Sequence, residues 1–462
     1  MKENNQAKNN NAWLRMNEEE TAAAYILGTQ YLDFLNRAKT VRETIGYIAD
    51  TAMNNGFIRW DSSLSIQPGQ KLFIEKKGKI CALIIVGTDP LDKGINMVVS
   101  HIDAPRLDLK PRPLFESDEL AFLKTHYYGG IKKYQWLAIP LALHGVVIKP
   151  DGSAININIG ENPEDPVFTI ADLLPHLAKE QMEKKMSEAI KGENLNALAA
   201  SRPEADQEAK NPVKEYLLKL LQEKYNLEEE DFTSAELELV PALPARDIGL
   251  DRSMTGAYGQ DDRVCAFTSL QAILQVNSVK RTAMCFFADK EEIGSTGNTG
   301  LQSLLLENLV TDLMQSNGQA DYYKVRQCLA NSAAISADVN AAIDPNYPEV
   351  FEKMNNSFLS HGVVLTKYTG SRGKYDSNDA NPEYLAALRQ LFARHEVVWQ
   401  VGELGKIDIG GGGTVAQYLA RYGMEVVDCG PAVLGMHSPF EVTSKADLYM
   451  TYKAYWAFLQ EF

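Results

Sequence analysis

The chain has 462 residues, more than one ordinary hydrophobic core organises, so two domains are expected. With 45% hydrophobic and 23% charged residues the composition is globular, and a net charge of −15 excludes nucleic acid, whose phosphate backbone needs a basic surface. The five cysteines are scattered and odd in number without a CxxC pair, which excludes a disulfide frame or structural zinc finger and fits a reducing cytoplasm.

The first residues, MKENNQAKNNNAW, are polar and Asn-rich with no apolar stretch behind them, so no secretory signal is expected. Residues 17–54 read as two helices, because Asn17 with Glu20 and Thr40 with Glu43 have capping-box spacing. After Gly56 the pattern becomes β. KLFIEK and ICALIIVG flank a KKG turn as a hairpin, and INMVVS is a strand that delivers His101. Between 108 and 251 short β-like runs alternate with Pro and Gly turns. The longest apolar run there, AIPLALHGVVI, is broken by Pro140, His144 and Gly145 and is too short to cross a bilayer, so no membrane is expected. A charged stretch, EQMEKKMSEAIKGENLNAL, reads as helical with a solvated face, and the polar segment SRPEADQEAKNP follows.

From Arg252 strands and helices alternate: AFTSLQAILQV (helix), TAMCFFA (strand), TGLQSLLLENLV (helix), AAISA (strand), NPEYLAALRQLFARH (helix), VVWQV (strand), TVAQYLARYG (helix), MEVVDCG (strand), and a closing helix from Ser444. Continuous apolar strands between helices imply an α/β fold, a mostly parallel sheet sandwiched by helices. Functional residues of such sheets gather beyond the strand ends. His101, Glu291 with Glu292, Asp338 and His437 all fall there. Since they must meet, residues 1–107 and 252–462 are expected to form one domain, and 108–251 an insertion.

Adjacent carboxylates at Glu291 and Glu292 are costly at a buried strand end without a cation. Imidazole and carboxylate without thiolate suit zinc, manganese or cobalt in a hydrolytic site. Two metals roughly 3.5–4 Å apart need a bridging carboxylate, for which Asp261 in GQDDR is the candidate. Asp261 and Asp262 also stand where they could cap the following helix. Asp103, two residues after His101 on an extended chain, can brace the imidazole. On an extended backbone Glu291 and Glu292 point opposite ways, one to ligate and one to accept a proton. The runs GSTGNTG and GGGGT match neither GxGxxG nor a P-loop, and GxSxG is absent.

In the order SHIDAPRLDLKP, THYYGGIKKYQW, LLPHLA, GQDDRV, ADKEEIGS, SADVN, SHGVVLTKY, GKYDSND and LGMHSPFE, the chain resembles the aspartyl aminopeptidases, a co-catalytic zinc metallopeptidase family, over essentially its full length. The resemblance implies an inserted β-rich dimerisation domain and a tetrahedral dodecamer built from dimers. It implies peptide substrates that lose an N-terminal residue, acidic Asp or Glu among them, to a water activated by two metals. By motif, His101 and Asp338 complete one metal site, Glu292 and His437 the other, and Asp261 bridges across a cis Asp261–Asp262 peptide. Glu291 is then the general base, Asp103 the brace, and His361 the oxyanion stabiliser. Lys367 and Tyr375 lie at substrate contacts, and His176 resembles a histidine donated to a neighbouring subunit. Two departures stand out: Ala104 where the family has Ser, and the segment YTGSRGKYDSND. The alternatives are the sister family of tetrahedral aminopeptidases with neutral-residue preference, and a non-catalytic assembly with structural metals; HIDAPRLDLKP and the insertion favour the aspartyl group.

Overall fold

The computed structural model describes residues 10–205, 209–318 and 321–462. The polar start through Asn9 and part of SRPEADQEAKNP lie outside the described residues. The chain forms two compact units: residues through Asp103 with Ala245–Met436 and Phe440–Phe462, and Ala104–Pro244 with His437–Pro439.

In the first unit, nine strands among the described residues form one sheet, in the order Ile58–Arg59, Lys71–Lys76, Ile80–Ile85, Thr282–Ala288, Ile95–His101, Ala333–Ala337, Glu425–Gly430, Val363–Thr366 and Trp399–Val401. The four strands from Thr282 to Gly430 in this order are mutually parallel. Their alternate residues face two separate cores: Val98 packs in one with helices Glu18–Arg37, Val41–Asn54 and Lys445–Glu461, while Met97 and Val99 pack in the other with Leu305–Gln315. That is a mixed α/β sheet covered on both faces. Both capping boxes form, with Asn17 accepting from Glu20 N and Thr40 from Glu43 N. Ser444 caps the closing helix. A five-stranded sheet in the same unit contains Met254–Ala257 and Glu441–Ser444, which flank the site described below.

The second unit is an antiparallel six-stranded sheet, ordered Ala154–Ile159, Leu141–Ile148, Ala235–Pro241, Arg106–Ser117, Leu120–Tyr128 and Asn196–Ala200. Leu217, Leu221 and Tyr225 of helix Pro212–Tyr225 line an apolar cavity with sheet residues Leu114, Leu123 and Leu237.

Three local expectations differ. The charged stretch is not one helix: it breaks into Lys179–Met182, Met186–Ala189 and the strand Asn196–Ala200, because Met182 and Met186 stay exposed and no apolar stripe is buried to hold a longer helix. A helix at Tyr322–Ala330 and a strand at Val363–Thr366 add to the elements expected from the sequence. Asp261 and Asp262 are not side-chain caps: Gly259 stands at the N-cap, and both aspartates have non-helical φ/ψ within Gln260–Leu274.

Candidate metal centre

Register brings the candidate ligands of the first unit to one edge. Ala288 pairs level with His101, and Ala337 level with Ser100. The residues just past these strand ends, Glu291 with Glu292 and Asp338, therefore emerge beside His101, as the parallel-sheet rule requires.

His101, Asp261 and Asp338 each offer a ligand atom within 4.8 Å of the others. His101 Nε2 lies 3.2 Å from Asp261 Oδ1. On its other side, His101 Nδ1 is 3.0 Å from the Asp103 carbonyl oxygen and 3.3 Å from Asp103 Oδ1. The backbone N–H of His101 donates to Asp262 Oδ2 at 3.2 Å, and the Asp261 N–H to Glu441 Oε2 at 3.1 Å. The Asp261–Asp262 peptide is cis.

Glu291 and Glu292 do not lie on extended backbone. Lys290 turns left-handed at φ 70° and Glu291–Ile293 forms one 3-10 turn. The cause is Asp103, whose Oδ1 accepts from Glu291 N at 3.1 Å and Oδ2 from Glu292 N at 3.2 Å. Successive N–H groups point to opposite sides of a strand but converge in a turn, so one carboxylate binding both selects the turn.

The donor set fits a divalent cation. Burial pushes the carboxyl groups of Asp262 and Asp338 well above the carboxylate range; His101 relieves both, while neighbouring carboxylates oppose that relief. Burial works against a charged His101, but Asp103, Asp261 and Asp262 override it and raise the imidazole well above its ordinary value. Negative charge packed this tightly holds protons or a metal, and a metal would displace the protons.

The remaining candidates sit as follows. His437, at φ 65°, places Nδ1 2.8 Å from the Gly130 carbonyl oxygen. A donating Nδ1–H makes Nε2 the lone-pair nitrogen, the form a metal ligand needs. His361 stands between Ser360 (φ 65°) and Gly362 (φ 84°), with Nδ1 3.1 Å from the Leu359 carbonyl oxygen. A Cβ on Gly362 would meet the Val398 carbonyl. Lys367 follows strand Val363–Thr366 and pairs with Asp379. Tyr375 is exposed in the following loop. His176 lies exposed on the 3-10 turn Pro175–Leu177, beside exposed Leu173, Leu174 and Leu177.

Four residues that the sequence does not mark as ligands, bases or substrate contacts support the site. Glu441 holds the Asp261 backbone. Asp262 anchors the His101 backbone. Arg263, fully buried, donates to the carbonyls of Gly259 at 2.8 Å, Tyr258 and Ala38 at 2.9 Å, and Lys39, fixing the entry to the Asp261 segment. Asp447 accepts from Ser360 N and Gly362 N at 2.7 Å each, clamping the loop that bears His361. Arg263, directly after the aspartate pair Asp261–Asp262, and Asp447, in the first turn after Ser444, carry sequence signals only of helix-start chemistry.

The model of the family described as aminopeptidase I zinc metalloprotease (M18) matches residues 34–459. A probable M18 family aminopeptidase 1 of Clostridium acetobutylicum is 50% identical over 453 residues, 97% of this chain and 97% of that protein. A protein of the same description from Thermotoga maritima is 47% identical over 98% of both chains. The crystal structure of the M18 family aminopeptidase from Thermotoga maritima has a TM-score of 0.92 at 46% identity, covering 98% of this chain and 99% of that one. The yeast mApe1 dodecamer structure, 22% identical, shares the fold at a TM-score of 0.75 over 95% of this chain and 97% of that one.

Proposed function

The chain belongs to the M18 family of zinc aminopeptidases, and from that premise we propose that it releases the first residue of a peptide with two divalent ions, zinc by family, with manganese and cobalt also suited to this donor set. The observation that carries the reading is the trio His101, Asp261 and Asp338, within 4.8 Å of one another at the strand edge where Glu291 and Glu292 are held by Asp103.

His101 and Asp338 would hold one ion, Glu292 and His437 the other, with Asp261 shared. When bound, the ions would anchor the free α-amine, polarise the scissile carbonyl and acidify the attacking water. Glu291, fixed beside Glu292 by the Asp103 clamp, takes the proton of that water and returns it to the leaving amine. Asp103 also fixes the His101 ring through Nδ1. His361 steadies the developing oxyanion. With Nδ1 committed to Leu359, its Nε2 donates only when the ring is protonated. Lys367 and Tyr375 face the first residue of the substrate.

The unit around 108–251 serves as the dimerisation domain of a tetrahedral dodecamer, and His176 reaches a neighbouring subunit's site. Exposed Leu173, Leu174 and Leu177 beside His176 support an interface there. The five cysteines are buried free thiols, consistent with the cytoplasm. No described helix is long and apolar enough to cross a membrane.

The test is hydrolysis of Leu-, Asp- and Glu-derived substrates with and without a chelator. Chelator-sensitive release of the first residue is expected. Chelator-resistant release would contradict the metal reading, and no release would contradict the reaction.

A further inference from the structure

One carboxylate outside the candidate metal centre is buried without a partner. Asp428 is 3% exposed, and among the described residues neither its Oδ1 nor its Oδ2 accepts a hydrogen bond, from a cationic side chain or any other donor.

Register places this carboxylate beside two hydroxyls. On strand Glu425–Gly430, Val426 packs in the core that holds helix Leu305–Gln315 and Val427 in the opposite core, so Asp428 faces the same side as Val426. Ser336 stands level with Asp428 on strand Ala333–Ala337, and Thr366 stands level with it on strand Val363–Thr366. Level residues on neighbouring strands, which lie about 4.8 Å apart, share a face of the sheet. Ser336 is fully buried, and its Oγ is also without a hydrogen-bond partner. Thr366 Oγ1 accepts from Asn340 Nδ2 at 3.0 Å and keeps a second lone pair.

An ionised carboxyl buried away from donors and cations is not stable as it stands. It can take up a proton, or it can bind a cation. Burial raises the Asp428 carboxyl only to about 6, with the hydroxyls of Ser336 and Thr414 holding it down, so above neutral pH the proton is largely lost. Positive charge is the compensation that remains. Oxygen donors without imidazole or thiolate suit a hard cation. A single carboxylate balances one unit of charge, and a divalent ion would leave charge buried without compensation.

We propose that Asp428, Ser336 and Thr366 hold a monovalent alkali cation, sodium or potassium, on the sheet face level with Ser336. The ion would tie three neighbouring strands together two residues before Asp338, at the edge from which that candidate ligand emerges.

The test uses the full-length, metal-loaded protein at pH 8 and constant ionic strength, with tetramethylammonium chloride replaced stepwise by sodium chloride or by potassium chloride. Wild type is expected to gain about 3 °C in Tm along a saturating curve. The ion that saturates at the lower concentration is the one the site prefers. Asp428→Asn is expected to show no saturable gain. Ser336→Ala keeps the charge and removes one ligand, so its half-saturation is expected about five-fold higher, and it serves as the variant if Asp428→Asn does not fold. Crystals of wild type soaked in thallium(I) are expected to show an anomalous peak against the Asp428 carboxylate. A wild-type Tm indifferent to both ions would overturn the inference. So would an equal gain in Asp428→Asn, which marks a general salt effect, an unchanged half-saturation in Ser336→Ala, or a thallium soak without a peak at Asp428. The aminopeptidase reading does not draw on Asp428 and stands or falls separately, on the chelator assay.

Discussion

The carboxylate of Asp103 accepts the backbone N–H of Glu291 at 3.1 Å, and its second oxygen accepts the N–H of the next residue at 3.2 Å. One side chain, two residues past His101, thus orients the imidazole and sets the turn of the glutamate pair. Asp103→Asn replaces one acceptor with an N–H that faces another N–H. Metal affinity and turnover are expected to fall about 10- to 100-fold, the range for groups that orient a ligand. Metal titration followed by kcat/KM measurement checks both, and unchanged values would remove Asp103 from the site's support.

Metal binding is expected to release protons. His101, Asp262 and Asp338 all hold protons to higher pH than usual in the metal-free site, so affinity should rise with pH across the neutral range. Calorimetry in two buffers of different ionisation enthalpy near pH 7 should give about one or more protons released per chain. Binding without proton release would contradict the electrostatics derived above.

Asp447 gives a separate pH signature. Burial raises its carboxyl from 3.8 to about 8, against the pull of the Gly362 and Ser360 N–H groups. The folded state therefore holds this proton longer than the unfolded chain. The stability it contributes is full below the ordinary carboxylate range and is lost as pH rises towards about 8. Relative to Asp447→Asn, wild type should lose up to about 1.4 kcal/mol of stability per pH unit within that window. Melting curves of both proteins across it decide the matter, and parallel profiles would contradict it.

Arg263 is the buried staple of the Asp261 segment. Arg263→Met removes the guanidinium that donates to the carbonyls of Gly259, Tyr258, Ala38 and Lys39. A loss of about 3 kcal/mol or more is expected, since each unsatisfied buried group costs roughly 1–3 kcal/mol. Denaturant unfolding measures it, and a loss under about 1 kcal/mol would show that the carbonyls find other donors.

Much of this was legible in the sequence wherever a local signal agreed with burial. Capping boxes at Asn17 and Thr40, the hairpin before Ile85 and the strand ending at His101 each combine a boundary residue with an apolar run. The edge shared by His101, Asp338 and Glu291 followed from the parallel-sheet rule alone. What escaped depended on tertiary partners. The turn at Glu291 is selected by Asp103, 188 positions away in sequence. Helix Tyr322–Ala330 buries only Val325, Cys328 and Leu329, a stripe of helical spacing too short to stand out, though Asp321 caps it. The charged stretch at 180–198 had helical propensity without a face to bury. The pairing of Lys367 with Asp379 arises from a loop closing on itself, and no spacing rule encodes it.

The central claim is that Glu291 moves the proton while Glu292 holds metal. Metal content and turnover of Glu291→Gln, measured on the same preparation, test it most directly. Wild-type metal content with kcat lowered about 10²- to 10⁴-fold, the range for a lost general base, is the expected result. Turnover at the wild-type rate with metal retained would contradict the assignment of the proton transfer to Glu291.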